Sequence, residues 1–200
     1  MFPEIINIMN NVRGIKYRLV NNWYNYIPIK DMSPPLRYLE VGVLCGANAI
    51  SFDLTYGKHP DTKIYCIDPW DLLNIEYNEC YNQSSNYQDY LHNIAQTGHP
   101  EKFKTIKGFS NIEIPKLEDN SFDIIYIDGN HNPENVLEDA ILSFRKLKVG
   151  GYMIFDDYGW DGPDLTQKGI DAFINTFSKK IKILGFQQTQ CFIIKITDCE

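Results

Sequence analysis

Three aspartates in this sequence each stand at the end of a mostly apolar run, and these are Asp68, Asp128 and Asp156. Short apolar runs bounded by turn residues are typical of buried strands. Because the carboxyl ends of parallel strands meet at one edge of a sheet, we expect the three carboxylates to lie near one another. Carboxylates gathered in this way can bind a cation or accept hydrogen bonds from a ligand. Each aspartate taken alone is equally well explained as a helix cap or a turn residue.

A glycine-containing turn follows another apolar run, in the segment 40–48 with the sequence EVGVLCGAN. Glycines at Gly42 and Gly46 let the backbone approach a ligand, and the helix that follows offers free amide groups at its N-terminus. The spacing differs from the GxGxxG pattern of a dinucleotide site, so it suits a cofactor that has no pyrophosphate. Asp68, after the second strand, is placed to accept hydrogen bonds from both ribose hydroxyls of a nucleoside.

Strand and helix patterns alternate along the chain, which favours an α/β fold with a parallel sheet. Predicted strands cover 38–43, 63–68, 103–107, 122–128 and 152–156, with further strand-like runs at 181–186 and 191–196. Predicted helices cover 46–54, 85–95, 133–147 and 169–177, and the pair Gly150-Gly151 is expected to stop the third of them. An amphipathic helix over 2–23, interrupted near Gly14, precedes the first strand.

The bulk composition is that of one globular domain. A chain of 200 residues with 44% hydrophobic residues can bury one substantial core. We therefore expect a single domain over 1–200, with a helical lid or packing segment at 1–34 and the core at 37–197. The net charge of -7 is spread along the chain, which disfavours a nucleic-acid partner.

The cysteines and the hydropathy pattern bear on location. Five cysteines with no CxxC pair suit a reducing compartment rather than a disulfide framework or a zinc site. No run of about 18 apolar residues predicts a membrane span. We therefore expect a cytoplasmic protein that does not associate with a membrane.

Five segments between Tyr38 and Trp160 carry a family resemblance, and in chain order they are YLEVGVLCGANAI, IYCIDPW, IKGFSNIEIPKL, FDIIYIDGNH and GGYMIFDDYGW. Together they resemble the class I methyltransferases of the catechol O-methyltransferase type. They are more similar still to the small methyltransferases of sugar and natural-product pathways. The resemblance implies a Rossmann-like fold, with a mostly parallel seven-stranded sheet, helices on both faces and an N-terminal helical extension. It also implies S-adenosylmethionine as the methyl donor.

The resemblance also assigns cofactor contacts to particular residues. It assigns the methionine end of the cofactor to Gly42, Gly46 and Asn48, and the ribose to Asp68. Ser110 and Asn111 are assigned to the edge of the adenine. Glu40 and Asp128 are also expected to contact the cofactor. Trp70 either flanks the adenine or is a core aromatic residue, because large aromatic side chains are commonly buried for packing alone.

A metal site is implied for the same edge of the sheet. In metal-dependent members of the family, an acid after the fourth strand and an acid-amide pair after the fifth bind magnesium; the matching residues here are Asp128, Asp156 and Asp157. Asp157 departs from the pattern, since it stands in place of the amide. Three carboxylates suit Mg²⁺, Mn²⁺ or Ca²⁺, and without a cation their mutual repulsion is costly. The alternative is that Asp157 points into solvent or caps the following loop, which leaves a metal-free site.

His131 takes the place of the lysine that serves as general base in the family. Histidine has an ordinary pKa near 6.5, so it can accept a proton from an acceptor hydroxyl at neutral pH. We expect His131 to be the base, and the alternatives are a metal ligand or a loop histidine without a chemical role.

The resemblance implies methyl transfer to an oxygen of a small-molecule acceptor, either a sugar or a phenol. Alternatives are a metal-dependent hydroxylase-like enzyme on the same scaffold and a non-catalytic subunit that binds the cofactor. Methylation of nucleic acid is a weaker alternative. The acceptor pocket is expected from the N-terminal helix, the segment 72–90 and the loop 159–166, whose tyrosines either line the pocket or pack on the sheet: Tyr77, Tyr81, Tyr87 and Tyr90. The sequence allows a homo-oligomer without specifying one.

Overall fold

A computed structural model describes residues 3–14, 20–28, 34–70, 83–160 and 162–198. The strands are β1 Arg37–Val41, β2 Lys63–Asp68, β3 Phe103–Lys107, β4 Phe122–Ile127, β5 Leu147–Phe155, β6 Ile181–Gln187 and β7 Gln190–Lys195. The helices are α1 Pro3–Asn11, α2 Ala47–Asp53, α3 Gln83–Ala95, α4 Ser110–Glu113, α5 Pro133–Lys146 and α6 Thr166–Phe177. Short 3-10 turns cover Val20–Asn25, Pro100–Lys102 and Ile114–Lys116.

The seven strands form one sheet in the order β3-β2-β1-β4-β5-β7-β6. Strands β1 to β5 pair in parallel, and β7 lies antiparallel between β5 and β6. The Rossmann-like methyltransferase fold and the mostly parallel seven-stranded sheet are therefore confirmed. Because the strand order reverses between β1 and β4, the crevice for a ligand lies at the carboxyl ends of these two strands.

Side chains on successive strand residues point to opposite faces of the sheet, and each face carries its own core. Tyr38 and Tyr126 face α2, α3 and the N-terminal segment, whereas Leu39 and Ile125 face α5 and α6. The N-terminal segment packs on the first of these cores through buried side chains that include Met9 and Trp23. None of the helices in the described part of the chain has the length and apolar character that a bilayer crossing requires.

The predicted interruption near Gly14 is confirmed, because the N-terminal helix ends at Asn11 and Gly14 has a φ of 76°. Residues 20–25 form a 3-10 turn, so the predicted α-helical continuation to residue 23 is wrong there; residues 15–19 lie outside the described part. The role predicted for the Gly-Gly pair is also wrong. The pair Gly150-Gly151 does not stop a helix, because α5 ends at Lys146 and β5 begins at Leu147. The glycines instead lie in an irregularity of the β4–β5 pairing, and Gly150 has a φ of 83°.

Candidate functional site

The backbone hydrogen bonding between parallel strands continues one residue past the ends of β1, β4 and β5. The amide of Gly42 donates to Ile67, that of Asp128 to Val41 and that of Asp156 to Ile127, with distances of 3.0, 2.8 and 3.0 Å. The residues that follow these strands are therefore held at one edge of the sheet.

The glycine turn and the Asp128 loop touch through their backbones. A Cβ atom on Gly42 would lie 1.9 Å from the carbonyl oxygen of Asp128, and Gly42 has a φ of 82°. Both observations exclude any side chain at this position, because L-residues rarely adopt that φ and the space is already filled. The predicted cofactor turn and the predicted metal-binding loop are thus neighbours.

Asp68 fastens the glycine turn to the end of β2. Its Oδ2 accepts hydrogen bonds from the amides of Val43 and Leu44, at 2.8 and 2.9 Å. Its Oδ1 accepts one from the amide of Trp70 at 2.7 Å. Burial raises the pKa of Asp68, and the three backbone amides oppose that rise. The predicted contact of Asp68 with the ribose stays a prediction.

Trp70 is fully buried, and its ring lies 4.9 and 5.0 Å from the rings of Tyr87 and Tyr90. Its Nε1 donates a hydrogen bond to the carbonyl oxygen of Leu44 at 2.7 Å, so it also anchors the glycine turn. In this structure Trp70, Tyr87 and Tyr90 pack against one another. The contact of Trp70 with the adenine and the place of the two tyrosines in an acceptor pocket stay predictions. Tyr77 and Tyr81 lie outside the described residues.

Glu40 lies buried beneath the turn in a network with Tyr38 and Asn48. Its Oε2 accepts hydrogen bonds from the Tyr38 hydroxyl at 2.6 Å and from Asn48 Nδ2 at 3.2 Å. Burial raises the pKa of Glu40 to about 8, the two side-chain hydrogen bonds oppose the rise, and the nearby Asp68 adds to it. The Asn48 Oδ1 is a buried acceptor without a hydrogen-bond partner. An ammonium group, such as that of the methionine end of the predicted cofactor, is a donor that fits this atom.

Ser110 and Asn111 open α4, directly after β3 and its following turn. The Ser110 hydroxyl is hydrogen-bonded to Asp139 of α5, and burial raises the pKa of Asp139 to about 6. Asp139 Oδ2 would lie 3.2 Å from a Cβ on Gly129, the residue after Asp128. The predicted adenine edge therefore adjoins the Asp128 loop through a buried carboxyl group.

Asp128, His131 and Asp157 form a cluster of candidate metal ligands. One ligand atom of each lies within 4.8 Å of the others, and His131 Nε2 is 3.1 Å from Asp157 Oδ2. Asp157 has a φ of 56°, a left-handed conformation that aspartate tolerates better than most residues. The two carboxylates suit a divalent cation such as Mg²⁺ or Mn²⁺.

Asp156, the third predicted metal ligand, is not one of the three clustered residues, but it lines the same cleft. It is buried, and its Oδ2 accepts a hydrogen bond from the Tyr126 hydroxyl at 2.5 Å. The structure therefore brings the four predicted residues to one cleft, with His131 beside Asp157 and Asp156 against the core.

Three buried residues of the site were not predicted from sequence: Tyr38, Tyr126 and Asp139. Tyr38 and Tyr126 each precede a predicted site acid by two residues, so the period-2 alternation of a strand places them on the same face as that acid. This spacing is a signal that could have found them. Asp139 carries no comparable signal, because an acid on an amphipathic helix ordinarily belongs to the solvated face.

Comparison with known proteins agrees with this fold. The family model described as methyltransferase domain matches residues 39–158, more than half of the chain. Protein R132 of Acanthamoeba polyphaga mimivirus is 27% identical over 156 residues, which is 76% of this chain and 63% of that protein. This chain thus spans less than two thirds of that relative.

Solved structures of two O-methyltransferases have the same fold. The enzyme from Bacillus cereus, in complex with S-adenosylhomocysteine, aligns over 97% of this chain and 89% of its own, with a TM-score of 0.68 and 14% identity. TomG from Streptomyces achromogenes, involved in tomaymycin synthesis and in complex with S-adenosylmethionine, aligns over 80% and 73%, with a TM-score of 0.64 and 17% identity. By its sheet order and its family match, this chain belongs to the methyltransferase domain family and folds as a class I, S-adenosylmethionine-dependent methyltransferase.

Proposed function

We propose that this chain transfers the methyl group of S-adenosylmethionine to a hydroxyl oxygen of a small acceptor, a sugar or a phenol, at a cleft that holds a divalent cation. The observation that carries the proposal is the meeting of Asp128, His131 and Asp157 within 4.8 Å of one another, beside the glycine turn. The O-methyltransferase neighbours support the reaction class, and TomG, which acts in tomaymycin synthesis, supports a small acceptor.

The residues have separate tasks in this proposal. The unpartnered Asn48 Oδ1 and Glu40 would receive the methionine end, and Asp68 the ribose. Asp128, Asp156 and Asp157, which line one cleft, would hold the cation. A bound divalent cation supplies Lewis acidity, which lowers the pKa of the acceptor hydroxyl.

His131 would accept the acceptor's proton. The acceptor oxygen attacks the sulfonium methyl carbon as its O–H proton passes to the imidazole, so a C–O bond forms, and the electron pair of the broken C–S bond stays on sulfur. The products are the methyl ether and S-adenosylhomocysteine. Asp157 Oδ2, 3.1 Å from His131 Nε2, stabilises the imidazolium that this transfer creates.

Two further expectations belong to the same proposal. We place the enzyme in the cytoplasm, because the buried thiols of Cys66 and Cys191 lie outside any disulfide and a reducing compartment keeps them so. The small molecule is the proposed partner in place of nucleic acid, because a net charge of -7 opposes binding to phosphate backbones.

The test is S-adenosylhomocysteine formation, measured by mass spectrometry with Mg²⁺ or Mn²⁺ and a panel of phenols and sugars. His131→Ala should lower turnover about 100-fold or more, the range that general-base removal gives. Asp128→Asn should also lower turnover, because the cation loses a carboxylate ligand. His131→Ala should also remove the acidic limb of the pH–rate profile. The matched control is His99→Ala, because His99 is an exposed histidine in the turn before β3, and it should keep full activity.

Three results would count against parts of this proposal. Full activity in excess chelator would refute the role of the cation. An unchanged pH–rate profile in His131→Ala would refute the role of His131 as general base. Tight binding of S-adenosylmethionine with no acceptor consumed would favour the non-catalytic subunit.

A further inference from the structure

A buried chain of polar groups runs from β7 to the rim of the sheet. Gln190 Nε2 donates a hydrogen bond to the Tyr126 hydroxyl oxygen at 3.2 Å, and that hydroxyl donates to Asp156 Oδ2 at 2.5 Å. All three residues are buried, at 1%, 0% and 4% exposure. Since a phenol has only one hydrogen, the Tyr126 O–H is committed to Asp156, and the Gln190 amide occupies the other side of its oxygen.

This arrangement is costly for a protein core. Tyr126 lies on β4 among aromatic side chains, with its ring 5.5 Å from that of Trp23, where a phenylalanine would fill the space without needing a partner. Gln190 Oε1 is a buried acceptor with no hydrogen-bond partner. An unsatisfied buried acceptor costs about 1–3 kcal/mol. A contribution to stability therefore does not by itself explain this row of hydrogen-bonded polar groups.

Its end point lies at the candidate catalytic cleft. Asp156 lines that cleft together with Asp128, His131 and Asp157. With Oδ2 held by Tyr126, rotation of the Asp156 carboxylate would break a short, charge-assisted hydrogen bond. The β6–β7 hairpin is fixed to the same region, because the amide of Tyr158 donates to the carbonyl oxygen of Thr189 at 2.7 Å. The position of Gln190 is therefore fixed relative to β5.

We infer that Tyr126, oriented by Gln190, is a positioning residue that holds the Asp156 carboxylate in the geometry needed to bind the divalent cation of the cleft. This inference rests on the proposed function. Hydrogen bonds to a ligating carboxylate fix its orientation, and loss of such a partner typically weakens metal affinity about 10–100-fold.

Titration of the purified 200-residue chain with Mn²⁺, followed by calorimetry or by the electron paramagnetic resonance of free Mn²⁺, tests the inference without any acceptor. Tyr126→Phe should weaken Mn²⁺ binding about 10–100-fold. The matched control is Tyr56→Phe, which also removes a buried hydroxyl, one that donates to the carbonyl oxygen of Ile27 at 2.8 Å. It should leave Mn²⁺ affinity unchanged.

The outcomes separate this inference from the proposed function. If the wild-type chain binds no Mn²⁺, the cation of the proposed function is refuted, and the positioning role with it. If the wild type binds and Tyr126→Phe binds equally well, only the positioning role is refuted. Gln190→Met removes the amide and keeps the volume, so it provides a second variant if Tyr126→Phe does not fold. It should weaken Mn²⁺ binding several-fold, and unchanged affinity would overturn the role of Gln190.

Discussion

The Asp68 carboxylate shapes the glycine turn and keeps little acceptor capacity for a ligand. An ionised carboxylate has about four acceptor positions, and the amides of Val43, Leu44 and Trp70 use three of them. About one position is then left for a ribose hydroxyl. A nucleoside that engages Asp68 through both ribose hydroxyls must displace one of these amides, and such a displacement would move the glycine turn.

Glu40 makes the stability of the fold depend on pH. Burial raises its pKa from 4.5 to about 8, so the folded chain keeps a proton that the unfolded chain loses above pH 4.5. The stabilising contribution is complete below pH 4.5 and is lost as the pH rises through 8. Glu40→Gln mimics the protonated form. Between pH 5 and pH 8 the melting temperature of the wild type should therefore fall by roughly 5 °C more than that of Glu40→Gln.

Thermal unfolding followed by circular dichroism between pH 5 and 9 measures this difference. Glu118→Gln is the control, because the Glu118 side chain is 71% exposed and should change the slope little. Burial raises the pKa of Asp139 to about 6, so Asp139 also makes the fold less stable as the pH rises. Glu40→Gln should therefore still lose some stability up to about pH 6. Parallel curves for the wild type and Glu40→Gln would contradict the burial of a neutral Glu40.

The sequence located the acids of the site and missed the residues that hold them. Asp68, Asp128 and Asp156 were predictable because each follows an apolar run, and parallel strands end at one edge. The proximity of His131 to Asp157 follows from the course of two loops after different strands, which no local pattern encodes. The packing role of Trp70 likewise depends on α3, which is distant in the sequence.

At the scale of secondary structure, apolar runs predicted the strands best. The predicted bounds of β2 and β3 agree with the structure because both runs are short and flanked by turn residues. The start of β5 was missed because a Gly-Gly pair ordinarily ends a helix or a strand, whereas here it allows the irregular pairing of β5 with β4. That pairing is a tertiary property, so local propensity could not predict it.

The β6–β7 hairpin carries strain that substitution can relieve. Its two loop residues, Gln188 and Thr189, have φ values of 48° and 62°, the signs of a type I′ turn, which favours Asn-Gly. For ordinary residues the left-handed conformation costs about 1–2 kcal/mol each. Glycine removes this cost at position 189, whereas asparagine only lowers it at position 188. The double variant Gln188→Asn/Thr189→Gly should therefore raise the free energy of unfolding by about 1–2 kcal/mol, measured by urea denaturation. Thr189→Ala is the control, because it keeps a Cβ at positive φ and should gain little stability. A lower urea midpoint in the double variant would show that the turn is not strained.

At the scale of the whole molecule, the sheet order decides where the site lies. Alternating strands and helices predicted a parallel sheet, but the adjacency of β1 and β4, which brings Gly42 against Asp128, became visible only in the fold. The N-terminal segment joins the same region, because Asn93 Nδ2 donates to the carbonyl oxygens of Arg13 and Cys45, at 3.0 and 2.8 Å. The crevice is thus bordered by chain segments that are far apart in the sequence.

Because the cofactor crevice is formed by several strands together, cofactor binding should stabilise the whole fold. S-adenosylhomocysteine at 100 times its dissociation constant adds about 2.7 kcal/mol, which for a chain of this size raises the melting temperature by roughly 5–10 °C. Gly42→Ala should lower the melting temperature without ligand and abolish this shift, because its Cβ would lie 1.9 Å from the Asp128 carbonyl oxygen. Gly98→Ala is the matched control: Gly98 has a similar φ of 76° and nothing within 4 Å of its Cβ position, so it bears the backbone strain alone and should keep the full shift. An intact ligand shift in Gly42→Ala would mean that the cofactor does not need the contact between the glycine turn and the Asp128 loop.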